Sequence, residues 1–189
     1  NENVYINGRV LPSSDLIDQI KALPNEESLT QNEIIIALKT SKHINNFKEL
    51  VQYSSSKPNK KTSCSMINHT HDIFTKNGSE IKSDYDRITE GRKSQQLSST
   101  NTIIGKDIFV EDGVRAEAVV FNTENGPIYL GKNSTVMEGS LIRGPFGLGE
   151  NATIKMGAKI YGDTSVGPQC KVGGEVSNSV FYKNTNKGH

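Results

Sequence analysis

The stretch LGKNSTVMEGSLIRGPFGLGENATIKMGAKIYGDTSVGPQCKV, residues 130–172, places an aliphatic residue at every sixth position: Leu130, Val136, Ile142, Leu148, Ile154, Ile160, Val166 and Val172. With 33% of the chain hydrophobic, eight consecutive hits in one register arise by chance about once in ten thousand trials. Counting each aliphatic residue as position one, position five is Ser134, Ser140, Phe146, Ala152, Ala158, Thr164, Cys170 and Val176, most of them small. Position two is glycine at Gly131, Gly149, Gly167 and Gly173. A large inward residue, a small fifth residue and frequent glycine suit a chain that turns a corner every six residues. Three such sides close one coil of about eighteen residues, and equivalent positions then stack about 4.8 Å apart. The ladders predicted are Leu130/Leu148/Val166, Val136/Ile154/Val172 and Ile142/Ile160.

Working outward, the solenoid begins near Ile103, with Ile104, Val110 and Ala116 continuing the step. Residues 121–127 interrupt the count as an inserted turn. Past Val172 the next hexad position is Asn178, so the register breaks, although Val176, Val180 and Phe181 are apolar. Tyr182 to His189 is polar and reads as a loop leaving a coil. The solenoid domain is therefore placed at 98–189, incomplete at its C-terminal end, with uncapped coil edges that invite pairing.

Residues 1–97 read as part of an α/β domain with a linker helix. Val4-Tyr5-Ile6 is a short strand, Pro12-Ser13-Ser14-Asp15 a helix start, and Leu16, Ile17, Ile20 and Leu23 a helical stripe stopped by Pro24. Ile34-Ile35-Ile36 reads as a buried strand, and Phe47, Leu50 and Val51 as a short helix. Residues 53–65 read as an exposed basic loop. From Asp72 to Arg92, Ile73, Phe74, Ile81, Tyr85 and Ile88 share a helical face that Asn77-Gly78 divides, and residues 94–100 form a polar linker. The opening at Asn1, without Met, reads as a fragment or the ordered part of a longer protein.

The bulk numbers exclude several classes. The 189 residues carry a net charge of +1, no Trp and 6% aromatics, so neither a nucleic-acid surface nor a base-stacking platform is expected. No secretory signal or membrane-spanning run is visible. Cys64 and Cys170 lie in unrelated contexts without metal-ligand spacing, which reads as free thiols in a reducing cytoplasm. His69, His71 and Asp72 are too few ligands for a metal site, and Asp72 reads as a helix cap. Asp84 and Asp86 are two apart and do not face each other on a helix.

The hexad pattern resembles the hexapeptide-repeat acyltransferases. The closer resemblance is to bacterial two-domain sugar nucleotidyltransferases with a left-handed β-helix tail, relatives of the bifunctional N-acetylglucosamine-1-phosphate uridylyltransferase/glucosamine-1-phosphate acetyltransferase. It rests on Asp72-Ile73-Phe74 with Asn77, Gly91-Arg92-Lys93-Ser94, Gly126-Pro127-Ile128-Tyr129-Leu130-Gly131, Met137-Glu138-Gly139, Ile142-Arg143-Gly144-Pro145-Phe146, Lys155-Met156, Gly173-Gly174-Glu175-Val176 and Asn186-Lys187-Gly188-His189. The resemblance implies an α/β fragment followed by a left-handed parallel β-helix, with the hand taken from the family. It implies a sugar-1-phosphate transferase of nucleotidyltransferase type, with acetyl-CoA-dependent acyl transfer in the solenoid and trimers formed through it.

The same resemblance places the residues. Lys183-Asn-Thr-Asn-Lys-Gly188-His189 matches the segment carrying the acetyltransferase base, so His189 would take a proton from a sugar amine, a task its pKa range suits. Lys183 and Asn186 would bind substrate. Lys159, thirty residues before His189, stands where relatives bind phosphate through Arg, and supplies charge without the bidentate fork. Ser177 occupies a position where relatives carry Lys. The alternatives are a terminal His without a role and a solvated corner Lys. Arg143 reads as an anion contact, an inter-subunit ion pair or part of a shaped Gly-Pro turn. The nucleotidyltransferase half implies magnesium and a glycine-rich phosphate loop; this chain holds no such loop, and Thr70-His71-Asp72 stands where relatives often carry Pro-Trp-Asp. Expected ligands are a sugar 1-phosphate and a nucleotide. The rival reading is a non-catalytic solenoid scaffold for oligomerisation or sugar-nucleotide binding.

Overall fold

The computed structural model describes residues 2–188 and divides into two compact units, Asn1–Thr70 and His71–His189.

In the first unit, α1 (Ser14–Lys21) starts where Ser13 caps it, its hydroxyl accepting from the Leu16 amide at 3.2 Å. Leu16 and Leu23 bury against Leu29, Ile36 and Met66. Four strands, β1 (Asn3–Ile6), β2 (Glu27–Gln31), β3 (Ile34–Thr40) and β4 (Asn59–Lys61), form a sheet in the order β1-β3-β2-β4. β3 is antiparallel to β1 and β2, and β4 runs parallel to β2. The β2–β3 hairpin turns on Asn32 and Glu33, with φ of 47° and 66°, the positive pair that a two-residue turn matching strand twist requires. Helix α2 (Phe47–Ser54) is capped by Asn46, whose side chain accepts from the Glu49 amide at 3.0 Å.

Two expectations change here. The apolar run at Ile34 is buried only from Ile36 to Leu38; Ile34 is exposed at the hairpin tip. Residues 53–65 are not one loop. They include the end of α2 and β4, an edge strand whose Lys-rich sequence reads as loop because charge is how an exposed edge avoids further pairing.

The second unit opens with α3 (Asp72–Thr75) and α4 (Asn77–Thr89), divided at the expected place. The residue preceding α3 is His71, without a side-chain capping bond; Asp72 is the first helical residue, its carboxylate 3.9 Å from His71 Nε2. A parallel β-solenoid of about five turns follows, from about residue 102 to 187. Its first side stacks Thr102–Ile104, Val120–Asn122, Leu141–Arg143, Lys159–Ile160 and Glu175–Val176. The second stacks Ile108–Val110, Ile128–Leu130, Phe146–Leu148, Thr164–Val166 and Val180–Phe181. The third stacks Arg115–Ala116, Thr135–Val136, Thr153–Ile154, Lys171–Val172 and Asn186–Lys187.

All three predicted ladders form: Leu130/Leu148/Val166, Val136/Ile154/Val172 and Ile142/Ile160 pair in register. Each of these side chains is buried, worth about 1.5–3 kcal/mol apiece. The small fifth position has a local cause. Asn133, Asn151 and Gln169 turn the corner between the second and third sides with φ of 56–60°. The next residue, Ser134, Ala152 or Cys170, then points into the corner and is fully buried. The glycines after the aliphatic position answer to close approach: a Cβ on Gly149 would lie 2.5 Å from the Pro168 nitrogen of the next coil.

The count departs from the sequence reading at both ends. Ile103, not Ile104, takes the ladder position beneath Phe121, and Phe121 is a buried strand residue, so the insertion is confined to residues 123–127. Beyond Val172 the coil shortens instead of ending. Ile160 pairs with Val176, Val166 with Phe181 and Val172 with Lys187. The polar segment after Tyr182 therefore contains a strand, and Lys187 closes the ladder with Nζ donating to Gly173 O at 2.8 Å.

The polar residues 94–101 cap the lower edge. Gln95 N donates to Val110 O at 2.8 Å, Ser94 Oγ accepts from Val110 N at 2.9 Å, and Asn101 bonds both Ala116 O and Val119 N. These contacts satisfy backbone groups that an open edge would leave unpaired. Next to them, Arg92 pairs with Glu111 at 2.7 Å and lies over Phe109, while Tyr129 donates to Glu111 at 2.6 Å. Burial first, then the neighbouring Glu111 carboxylate, push the Tyr129 phenol up to about 12.

Candidate functional site

Two regions collect chemistry. The first is a polar cavity of about 500 Å³ in the first unit, between the β2–β3 hairpin, β4 and α2. Strand alternation builds it. Leu29 points into the core while Ser28 and Thr30 share the opposite face. Their neighbours in register are Asn59 and Lys61 on β4, and Ile35 faces Thr30 from β3. Helix α2 contributes Val51, Ser54 and Ser55, one helical turn. Ser54 and Ser55 both donate to Val51 O, at 3.0 and 2.8 Å, which leaves their oxygens as acceptors. Thr62 also lines the cavity, and its buried Oγ1 has no hydrogen-bond partner among the described residues. The wall thus offers hydroxyls and amides over the apolar patch of Ile35 and Val51, with Lys61 as a cation and Glu33 as a carboxylate. Such a surface exchanges hydrogen bonds with a polyhydroxylated ring and covers its C–H face.

The second region is the upper solenoid. Lys159 lies on the first side, exposed, 3.8 Å from the Glu175 carboxylate, to which Tyr161 also donates at 2.7 Å. That hydrogen bond, with burial behind it, raises the Tyr161 phenol. Asn186 lies on the third side and accepts from Lys155 Nζ at 3.4 Å. Lys183 sits at the corner between the second and third sides, against an apolar groove. Within one chain these three side chains occupy different places around the coil. His189 lies outside the described residues. Arg143 precedes a turn whose Gly144 would bring a Cβ to 2.0 Å from Gly126 O, so the Gly-Pro segment is a shaped turn.

Among the described residues no cluster of three or more His, Cys, Asp or Glu is placed to hold a metal ion. No helix among them is long and apolar enough to cross a membrane. The polar cavity was not anticipated from sequence. Its signal was present in the alternation of Ser28 and Thr30 around Leu29, but a strand with a polar face on both sides of one leucine scores as loop.

Comparison with curated proteins finds no match. Residues 1–93 match the family model described as sugar nucleotidyl transferase. That stretch, which contains the whole polar cavity, is sugar nucleotidyltransferase-like.

Proposed function

We propose that this chain serves group transfer to a sugar 1-phosphate, with the polar cavity as one sugar-binding site and the solenoid carrying, at a site of its own, acyl transfer from a coenzyme A thioester, acetyl-CoA being the donor the resemblance implies. The observation that carries the reading is the hydroxyl- and amide-lined cavity inside residues 1–93, the stretch with the sugar nucleotidyl transferase match. Ser28, Thr30 and Asn59 would orient ring hydroxyls, and Lys61 would meet the phosphate.

On the solenoid, the sugar amine attacks the thioester carbonyl. A C–N bond forms, the C–S bond breaks, His189 takes the amine proton and the thiolate leaves to be protonated. Imidazole titrates near working pH and suits that transfer. Lys159 lies on the first side in the fourth turn, and Lys183 and Asn186 lie at and beyond the corner into the third side in the fifth, so we take a site using all of them to draw on a neighbouring subunit. Exposed Met137, Leu141, Met156 and Tyr161, on the first side and the corner leading to it, support assembly as a homotrimer.

The cavity is tested by calorimetric titration of the full chain with glucosamine 1-phosphate. Binding that weakens about tenfold in Ser28→Val supports the reading, since one buried hydroxyl hydrogen bond is worth about 1–1.5 kcal/mol. Equal binding by wild type and Ser28→Val overturns this assignment.

A further inference from the structure

Residues 151–188 carry five lysines against two carboxylates, Asp163 and Glu175. Glu175 lies on the first side, beside Lys159 and the Tyr161 hydroxyl. Asp163 stands at the corner between the first and second sides. The third side of the upper coils, Thr153–Ile154, Lys171–Val172 and Asn186–Lys187, carries no acid.

Three of the lysines meet there. Lys171 is exposed and pairs in register with Asn186. Lys155 starts two turns below Asn186, yet its Nζ donates to Asn186 Oδ1 at 3.4 Å. Its stem rises across Gly173, where a Cβ would lie 3.1 Å from Lys155 Cβ and Cδ. The glycine is the gap that lets Lys155 reach upward.

Lys187 is the odd member of its column. The same inward position holds Ala116, Val136, Ile154 and Val172 in the turns below. The Lys187 stem continues that column, half-buried, and its Nζ emerges to donate to Gly173 O at 2.8 Å. Four turns thus fill the column with alkyl groups and the fifth with an ammonium, which burial opposes. Gly173 therefore borders Lys155 and Lys187, and Asn186 borders Lys155 and Lys171. None of these lysines has an ion pair among the described residues. The Asn186 Nδ2 likewise has no acceptor among them.

The cluster is donors only. Ammonium groups gathered this closely repel one another, and an anion of two or more charges offsets that repulsion. The patch covers two residues along the strand and one strand spacing across, about 7 by 5 Å. That is room for one phosphoryl group or two joined ones, and too little for an extended polyanion.

We propose that Lys155, Lys171, Lys187 and the Asn186 amide bind the phosphoryl end of a small molecule, a phosphate monoester or a diphosphate ester. The inference stands on these side chains and not on the acyl-transfer reading, with which it shares only Asn186.

The test is calorimetric titration of the full chain at low salt with inorganic phosphate and with inorganic diphosphate, against sodium chloride at matched ionic strength. Saturable binding is expected. Lys155→Met and Lys187→Met each weaken it about tenfold, the loss of one charged hydrogen bond. Lys132→Met, at a corner of the second turn, leaves it unchanged. Lys187→Met restores an apolar residue to the column, so its loss of binding is not a loss of fold. Tighter binding of diphosphate than of phosphate assigns a diphosphate ester, and equal binding a monoester. No saturable binding of either anion overturns the site. So does a Lys187→Met variant that melts lower yet binds both anions as wild type does, since Lys187 would then only cap the coil. No thioester or sugar is present in these titrations, so acyl transfer stands or falls on its own assay.

Discussion

The Ser165 hydroxyl donates to the Asn77 side-chain carbonyl at 2.8 Å, across 88 residues of sequence. The other half of the same amide donates to Asp163 O at 2.7 Å. Asn77 thereby ties the start of α4 to the fourth coil, while Arg92, beyond the helix's other end, ties to Glu111 on the first. The helix is a brace along the second side, fastened at both ends.

Asn77→Ala removes both bonds and leaves half-buried partners unpaired. The expected loss is about 2 kcal/mol, read as a lower melting temperature together with faster amide exchange through residues 77–89. Unchanged exchange in the helix would show that the brace is held by its apolar stripe alone.

The corner serines differ in a way that stability measurements separate. Ser140 Oγ donates to Lys155 O at 3.1 Å, whereas Ser134 Oγ is buried with no partner among the described residues. Ser134→Ala is expected to be neutral or stabilising by up to about 1 kcal/mol, and Ser140→Ala to cost about 1 kcal/mol. Equal destabilisation by the two would contradict the assignment.

Two glycines two residues apart carry opposite expectations. Gly149→Ala forces a Cβ against the Pro168 backbone and costs about 3 kcal/mol through overpacking, while a Cβ on Gly147 meets nothing within 4 Å and Gly147→Ala melts with wild type. Thermal unfolding of the two variants side by side decides it.

In the first unit the Glu26 carboxylate is held by Lys57 at 2.8 Å, by the Tyr53 hydroxyl and by Thr40 at 2.8 Å. Lys57 foremost, then Tyr53 and Thr40, lower its pKa from 4.5 to about 2. A depressed folded pKa means that the carboxylate's contribution is fully present above about pH 4.5 and is lost as pH falls toward 2. Stability of wild type should therefore drop more steeply across that window than stability of Glu26→Gln. Parallel curves would contradict it.

The solenoid was legible from residue 130 because burial there repeats with the coil, and one aliphatic residue per side is enough to reveal it. The last coil was not, because its sides between Val172, Val176 and Phe181 shorten to four and five residues; pairing in space survives a change that a fixed count does not. The edge strand β4 was hidden by its lysines. The polar stretch 94–100 reads as a linker because its work is to cap backbone groups. The candidate sites divide similarly. Lys159, Lys183 and Asn186 came from resemblance, while the polar cavity and the lysines around Asn186 come from which residues share a face, and one lysine among many looks like any other.

We propose acyl transfer to a sugar 1-phosphate as the reaction of this chain. Its most direct measurement is incubation of the full chain with glucosamine 1-phosphate and acyl-CoA thioesters, following free thiol release and the mass of the sugar. An N-acylated sugar 1-phosphate formed one-for-one with free coenzyme A is expected, with a rate that falls about a hundredfold or more in His189→Ala. Absence of acylated sugar with every thioester, or a rate that His189→Ala leaves unchanged, would contradict it.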